Sequence, residues 1–236
     1  MKTTHYLLTV IAAMVLASNV VMAQQETDAP MSFFVTSEPH SGDLGGLAGA
    51  DATCQRLATE VGAGDHTWRA YLSTYGTFTE PAVNARDRIG NGPWHNAKGV
   101  RIAGSIADLH GDIQRDSNLL YRETTLTEKG ELVNGRVRPE GTNNEHDILT
   151  GSDSHGRSFP HGQGFPPAVP ATRGQQNLSC DNWTYGGPDG SAMIGHHDRQ
   201  SSFNTSWNSS HSTSGCSLER FNETGGAGRY YCFAAD

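Results

Sequence analysis

The chain has 236 residues, with 35% hydrophobic residues and 28 glycines, which excludes disorder throughout. Only 18% of residues are charged, and 17 Lys and Arg against 25 Asp and Glu leave a net charge of −8. A chain this acidic is a poor polyanion binder, so DNA, RNA and heparin-like partners are excluded as leading expectations.

Met1–Ala23 reads as a secretory signal in the bacterial style. Lys2 opens it, Tyr6–Ala17 is apolar, and Val21-Met22-Ala23 is a cleavage site with small side chains. The apolar run is too short for a span of roughly 20 residues. An exported product is therefore expected: secreted, periplasmic or held at the cell surface. Gln24–Pro30 is a polar lead-in, and residues 31–236 are expected to form one loop-rich domain.

Met31–Thr36 is β-branched and aromatic and predicts a first strand. Leu47–Val61 predicts a helix, because Ala50, Cys54, Leu57, Ala58 and Val61 make one apolar stripe. Gly62 and Gly64 end it. Trp68–Ser73 alternates and predicts a half-buried strand, with Trp68, Ala70 and Leu72 on the covered face. Asn84–Gly92 holds one helical turn, and Trp94–Leu109 reads as short strands and turns. A hairpin or loop is expected around Glu128-Lys129-Gly130, a short strand at Asp147–Thr150, and a turn at Gly186–Gly190. Four prolines keep Ser158–Gly174 irregular. Ser201–Ser217 is a Ser/Asn/Thr-rich tract with Trp207 embedded, and Arg229–Ala234 predicts a terminal strand.

Four cysteines, Cys54, Cys180, Cys216 and Cys232, suggest two disulfides in an exported chain. Three pairings satisfy that count, and the residues alone do not choose among them. No CxxC occurs, which argues against a structural zinc site or a redox pair. Hydrolase and nucleotide signatures such as GxSxG, HExxH and GxxxxGK[ST] are absent, so a binding role is preferred to an enzymatic one. Five Asn-x-Ser/Thr sites, at Asn177, Asn182, Asn204, Asn208 and Asn222, follow from the polar composition.

A helix carrying Gly46-Leu47-Ala48-Gly49-Ala50-Asp51 and Cys54 precedes the strand Trp68–Ser73. Gly151-Ser152-Asp153, Gly156-Arg157 and Ser179-Cys180-Asp181-Asn182-Trp183 follow, and the last Cys lies in a terminal strand. This arrangement resembles the C-type lectin-like fold, and within it the endostatin domain of collagens and bacterial lectin-like exported proteins. The resemblance implies an α+β domain with short strands, few helices, long loops and two disulfides, Cys54–Cys232 and Cys180–Cys216. It also implies a binding module for a glycan or an extracellular protein. Two motifs depart from sugar-binding C-type lectins. No Glu-Pro-Asn or Gln-Pro-Asp triplet precedes Cys180, and Ser209 replaces the acid after Trp207-Asn208. The usual calcium site, which needs six to eight oxygen ligands, is thus incomplete.

With the Cys180–Cys216 bridge closed, Asp181, Asp189, Asp198, Arg199 and Asn208 are expected to line one face beside Trp183 and Trp207. Carboxylates and amides beside aromatic faces suit sugar hydroxyls and ring C–H groups. Trp183, next to a bridged Cys, also suits the core. The second candidate is Gly195-His196-His197-Asp198-Arg199, where His196 and His197, with His211, offer imidazole nitrogens to a metal. Zinc or copper fits that set better than calcium, and the alternative function it implies is a metal-binding protein or a metal-dependent exported enzyme centred on His196 and His197. Its ordinary reading is structural, with one imidazole donating to a backbone carbonyl.

Overall fold

The computed structural model describes residues 29–77, 79–114, 116–159, 177–201 and 204–236. The expected signal segment, most of the lead-in and most of the proline-rich stretch lie outside the described residues.

A buried strand at the carboxyl end organises the sheet. β1 (Phe33–Val35), β2 (Trp68–Ala70), β5 (Asp147–Leu149), β6 (Met193–His196), β7 (His211–Ser212) and β8 (Gly226–Ala234) form six strands, and β3 (Trp94–His95) pairs β4 (Arg101–Ala103) apart from them. The order runs β1-β8-β5-β6-β7, with β2 also on β8. Only β5 and β8 are parallel; the other pairs are antiparallel.

Alternate side chains of the central strands enter two different cores. Phe34, Leu149, Tyr230 and Cys232 join one cluster, which also holds Trp68, Leu72 and Trp183. Phe33, Val35, Ile148, Tyr231 and Phe233 join the other, with Tyr71, Trp94 and Trp207. Apolar surface on both faces explains why these short strands read as continuous apolar runs. It also corrects the half-buried reading of Trp68–Ser73: Tyr71 and Ser73 are as fully covered as Trp68. Tyr71 packs on Phe233 with ring centroids 5.8 Å apart.

α1 (Gly46–Glu60) buries Ala50, Cys54, Leu57 and Ala58 against the first core. The stripe ends a turn earlier than expected: Val61 caps the helix and is 40% exposed. Gly62 closes it at φ 80°, where a Cβ is disfavoured. The helical turn expected near Asn84 is the 3₁₀ turn Ala85–Asp87. Helix α2 (Ile106–His110) begins at Ser105, whose side chain accepts from the Asp108 amide. Helix α3 (Leu218–Thr224) is capped in the same way by Ser217. Neither α2, α3 nor β6 was expected from the sequence.

The fold is therefore α+β, with few helices, short strands and two disulfides. Cys54–Cys232 ties α1 to β8, and Cys180–Cys216 ties a turn to the approach of α3. Disulfides fit a protein that folds in an oxidising compartment. Among the described residues no helix is long and apolar enough to cross a membrane.

Candidate functional site

Two polar features share the β6–β7 edge of the sheet. Gly195, in β6, lets the following loop lie close against the strand: a Cβ there would sit 1.8 Å from the Trp207 carbonyl oxygen. The His196 amide donates to the Ser206 carbonyl at 2.9 Å, and the Ser210 amide to the Ile194 carbonyl at 2.6 Å. Residues 204–210 are thereby fixed to the sheet.

The first feature is a cleft of about 420 Å³ beneath that loop, with Arg199, Asn204, Trp207, Asn208, His110 and Asp116 among its walls. Trp207, 5% exposed, packs against Tyr71 at 5.0 Å, Tyr231 at 5.4 Å and His110 at 5.8 Å. The Asn208 amide donates to Tyr71 Oη at 3.0 Å and to the Asp153 carbonyl at 3.2 Å. His110 Nδ1 lies 2.9 Å from the Ile106 carbonyl, which can only accept, so Nδ1 carries the proton. Nε2 then accepts from Tyr71 Oη at 2.7 Å. Burial lowers the His110 pKa to about 4, against the opposing pull of the Ile106 hydrogen bond. Arg199 fixes the facing wall. Its Nε donates to the Leu120 carbonyl at 2.8 Å, Nη1 to Asp116 at 2.8 Å and Nη2 to Asn118 Oδ1. Its guanidinium lies 4.8 Å from the Tyr121 ring centroid.

The second feature is a group of His and Asp side chains on the adjoining strands. Asp147 pairs directly with His196 across β5 and β6, and Ile194 pairs with His211 across β6 and β7. Strand pleating puts Ile194 and His196 on one face, so His211 joins them there. The β5–β8 register shifts between Asp147 and Ile148 at the head of the strand, where His146 and Asp147 meet. Asp147 Oδ1 lies 3.2 Å from His146 Nε2, 3.4 Å from His196 Nε2 and 3.7 Å from His211 Nε2. His196 and His211 approach Nε2 to Nε2 at 3.1 Å. His146 and His196 stack with centroids 4.2 Å apart.

Asp198 borders this group and accepts from the Arg136 amide at 2.8 Å, the Gln200 amide at 3.1 Å and His146 Nδ1 at 3.1 Å. Burial alone would raise its pKa, but the His146 and backbone hydrogen bonds outweigh burial and hold the carboxyl well below the usual range.

Of the seven residues expected to bind a ligand, Arg199, Trp207 and Asn208 converge on the cleft. Asp198 turns instead to His146. Trp183 is fully buried, with its indole N–H on the Ser73 carbonyl at 2.9 Å, so it serves the core and offers no ligand face. Asp181 and Asp189 are exposed on turns that do not line the cleft. Of the three expected metal ligands, His196 and His211 converge and His197 does not. Its ring is wholly buried and neither nitrogen makes a well-formed hydrogen bond. Burial lowers its pKa to about 4, against the pull of Asp198. β6 ends at His196 and His197 lies in the turn that follows, where its ring is carried into the interior away from the group. His146, Asp147, His110 and Tyr71 were not expected. The one legible signal was the His-Asp pair of His146-Asp147, echoed by His197-Asp198.

The chain matches no known family model and no curated protein.

Proposed function

We propose that this chain is an exported, disulfide-braced binding module of C-type lectin-like architecture that takes a glycan in the cleft beside Arg199, Trp207 and Asn208. The carrying observation is the convergence of those three residues on one polar cleft of about 420 Å³. That volume lies in the range of small-ligand sites. Its walls supply amides, hydroxyls and a tryptophan, and the expected export and the two disulfides fit an extracellular encounter. The hydrogen-bonding surface, in which Arg199 and Asp116 pair with each other, suits hydroxyl groups, each of which donates and accepts. Arg199 is held by Asp116, Asn118 and Leu120, so its role is to fix the wall rather than to attract an anion.

A glycan array on the chain beginning at Gln24, followed by calorimetry with the best hit, tests this. Thr205 is exposed on the cleft wall, so Thr205→Trp fills the opening without touching the core. Affinity is expected to fall at least tenfold in that variant. Absence of any glycan ligand, or undiminished affinity in Thr205→Trp, overturns the reading.

A further inference from the structure

The cleft leaves the His and Asp group without a role, and its internal chemistry demands one. Asp147 is 2% exposed, yet neither of its carboxylate oxygens receives a hydrogen bond. Three imidazole nitrogens stand 3.2–3.7 Å from Oδ1 without bonding it. A buried carboxylate with no donor is strongly unfavourable unless a positive charge compensates it.

The imidazole protons lie on the far side of each ring. His146 Nδ1 faces Asp198, whose other hydrogen bonds come from backbone amides. His196 Nδ1 faces the Asn204 carbonyl at 3.1 Å, and His211 Nδ1 the Ser212 carbonyl at 3.2 Å. Carbonyls and carboxylates accept, so each Nδ1 donates and each Nε2 is the nitrogen left to face a ligand. Three such nitrogens and one carboxylate oxygen are thus turned on one another. A second group that holds the far nitrogen of a ligating imidazole is the usual means of fixing tautomer and orientation at a metal.

We propose that His146 Nε2, Asp147 Oδ1, His196 Nε2 and His211 Nε2 form a site for one divalent transition-metal ion, zinc foremost. Metal–nitrogen and metal–oxygen bonds of about 2.0–2.1 Å at tetrahedral angles place neighbouring donors about 3.4 Å apart. Asp147 Oδ1 lies 3.2–3.7 Å from the three Nε2 atoms and His196 Nε2 lies 3.1 Å from His211 Nε2. His146, Asp147 and His196 all offer donors within 4.8 Å of one another, and the exposed His211 turns inward to complete the set. Imidazole with a single carboxylate and no thiolate favours zinc or copper(II) over magnesium or calcium, which prefer oxygen. Three of the ligands are buried, and the His211 side chain is 42% exposed. The ion sits just beneath the surface, with His211 as its outermost ligand and its route of entry. Once bound, it joins β5, β6 and β7 across a short strand edge whose register pairs are Met193–Ser212 and Ile194–His211. The site stands whether or not the cleft takes a glycan.

The test is calorimetry of chelator-treated, dialysed protein with Zn²⁺, alongside cobalt(II) substitution read by its visible absorption. One equivalent of zinc is expected to bind, with tetrahedral cobalt bands and a higher melting temperature. His211→Ala removes an exposed ligand, so its fold is expected to survive and its zinc affinity to fall at least tenfold. Asp147→Asn tests the buried ligand in the same way. His155→Ala removes an exposed imidazole outside the group and is expected to leave zinc affinity unchanged. Failure of folded wild-type protein to bind zinc, copper(II) or cobalt(II) at one equivalent overturns the proposal. So does zinc binding that His211→Ala leaves intact, since that assigns the ion to stray surface imidazoles. Loss of glycan binding in Thr205→Trp with zinc affinity unchanged separates this site from the cleft.

Discussion

Asp51 on α1 and Asp147 at the head of β5 are both buried carboxylates, and their surroundings differ in kind. Asp51 accepts from Arg69 at 2.8 Å, from Arg88 through both oxygens at 2.9 and 2.8 Å, and from the Ala70 amide at 2.9 Å. Asp147 accepts nothing and faces imidazole nitrogens. Asp51 is complete: it clamps α1 to β2 and to the 3₁₀ turn, with no place left for a ligand. The β5–β6–β7 edge keeps an unmatched negative charge. Buried polar groups that the fold itself satisfies are architecture, and one that the fold leaves open points outward to a missing partner.

The largest expected effect sets these two carboxylates against each other. Asp51→Asn breaks a buried ion pair and leaves Arg88 half-compensated, at a cost of roughly 3 kcal/mol. For a chain of this size that lowers the melting temperature by about 6–12 °C. Asp147→Asn, measured in chelator, removes an unpaired buried charge and is expected to raise stability by about 1 kcal/mol. Thermal melts of the two variants therefore move in opposite directions without metal. Equal losses in both would erase the contrast.

The sequence showed the first region more readily than the second. α1 was legible because Ala50, Cys54, Leu57 and Ala58 repeat at the helical period, and β1 and β8 because aromatic and β-branched residues run together. The two bridges follow the pairing that the lectin-like resemblance implies, although the cysteine count alone left three choices. β6 escaped because Gly195 interrupts a four-residue strand, and α3 because only Phe221 is buried in it. In the cleft, Trp207 and Asn208 stood out by residue type. The His and Asp group did not, because strand pairing builds it from distant segments. His146 and Asp198 are 52 residues apart, and no local period links them. The adjacent pair His196 and His197 misled because the strand ends between them: His196 closes β6 and His197 begins the turn.

His110 sharpens the comparison from the satisfied side, because its hydrogen bonds are complete only while it is neutral. Burial holds its folded pKa at about 4, against an ordinary 6.5 in the unfolded chain. Between those values the unfolded state binds the extra proton. The neutral ring therefore supports the fold fully above pH 6.5, and that support is lost as pH falls from 6.5 towards 4. Between pH 7 and pH 5 the loss is about 2 kcal/mol from this residue. Urea midpoints in chelator at the two pH values are expected to differ less in His110→Gln than in wild type by that amount. Identical pH slopes would show that the buried imidazole protonates freely.

The smallest effect concerns backbone strain rather than charge. Cys180, Asp181, Asn182 and Trp183 all have positive φ, at 47°, 57°, 57° and 69°, and none is a glycine. Left-handed geometry crowds Cβ against the next carbonyl and costs roughly 1–2 kcal/mol per residue, less for Asp and Asn. Local bonds hold the turn: Asn182 accepts from the Tyr75 amide at 3.0 Å and donates to the Tyr75 carbonyl at 3.2 Å. The Cys180–Cys216 bridge pins its first residue. At exposed Asp181 a glycine is therefore expected to be more stable than an alanine, by about 1 kcal/mol. At exposed Ala52, inside right-handed α1, glycine is expected to be the less stable by a similar amount. Denaturant midpoints of Asp181→Gly, Asp181→Ala and Ala52→Gly read that inversion directly. Alanine equal to glycine at position 181 would mean that the turn relaxes to right-handed geometry in solution.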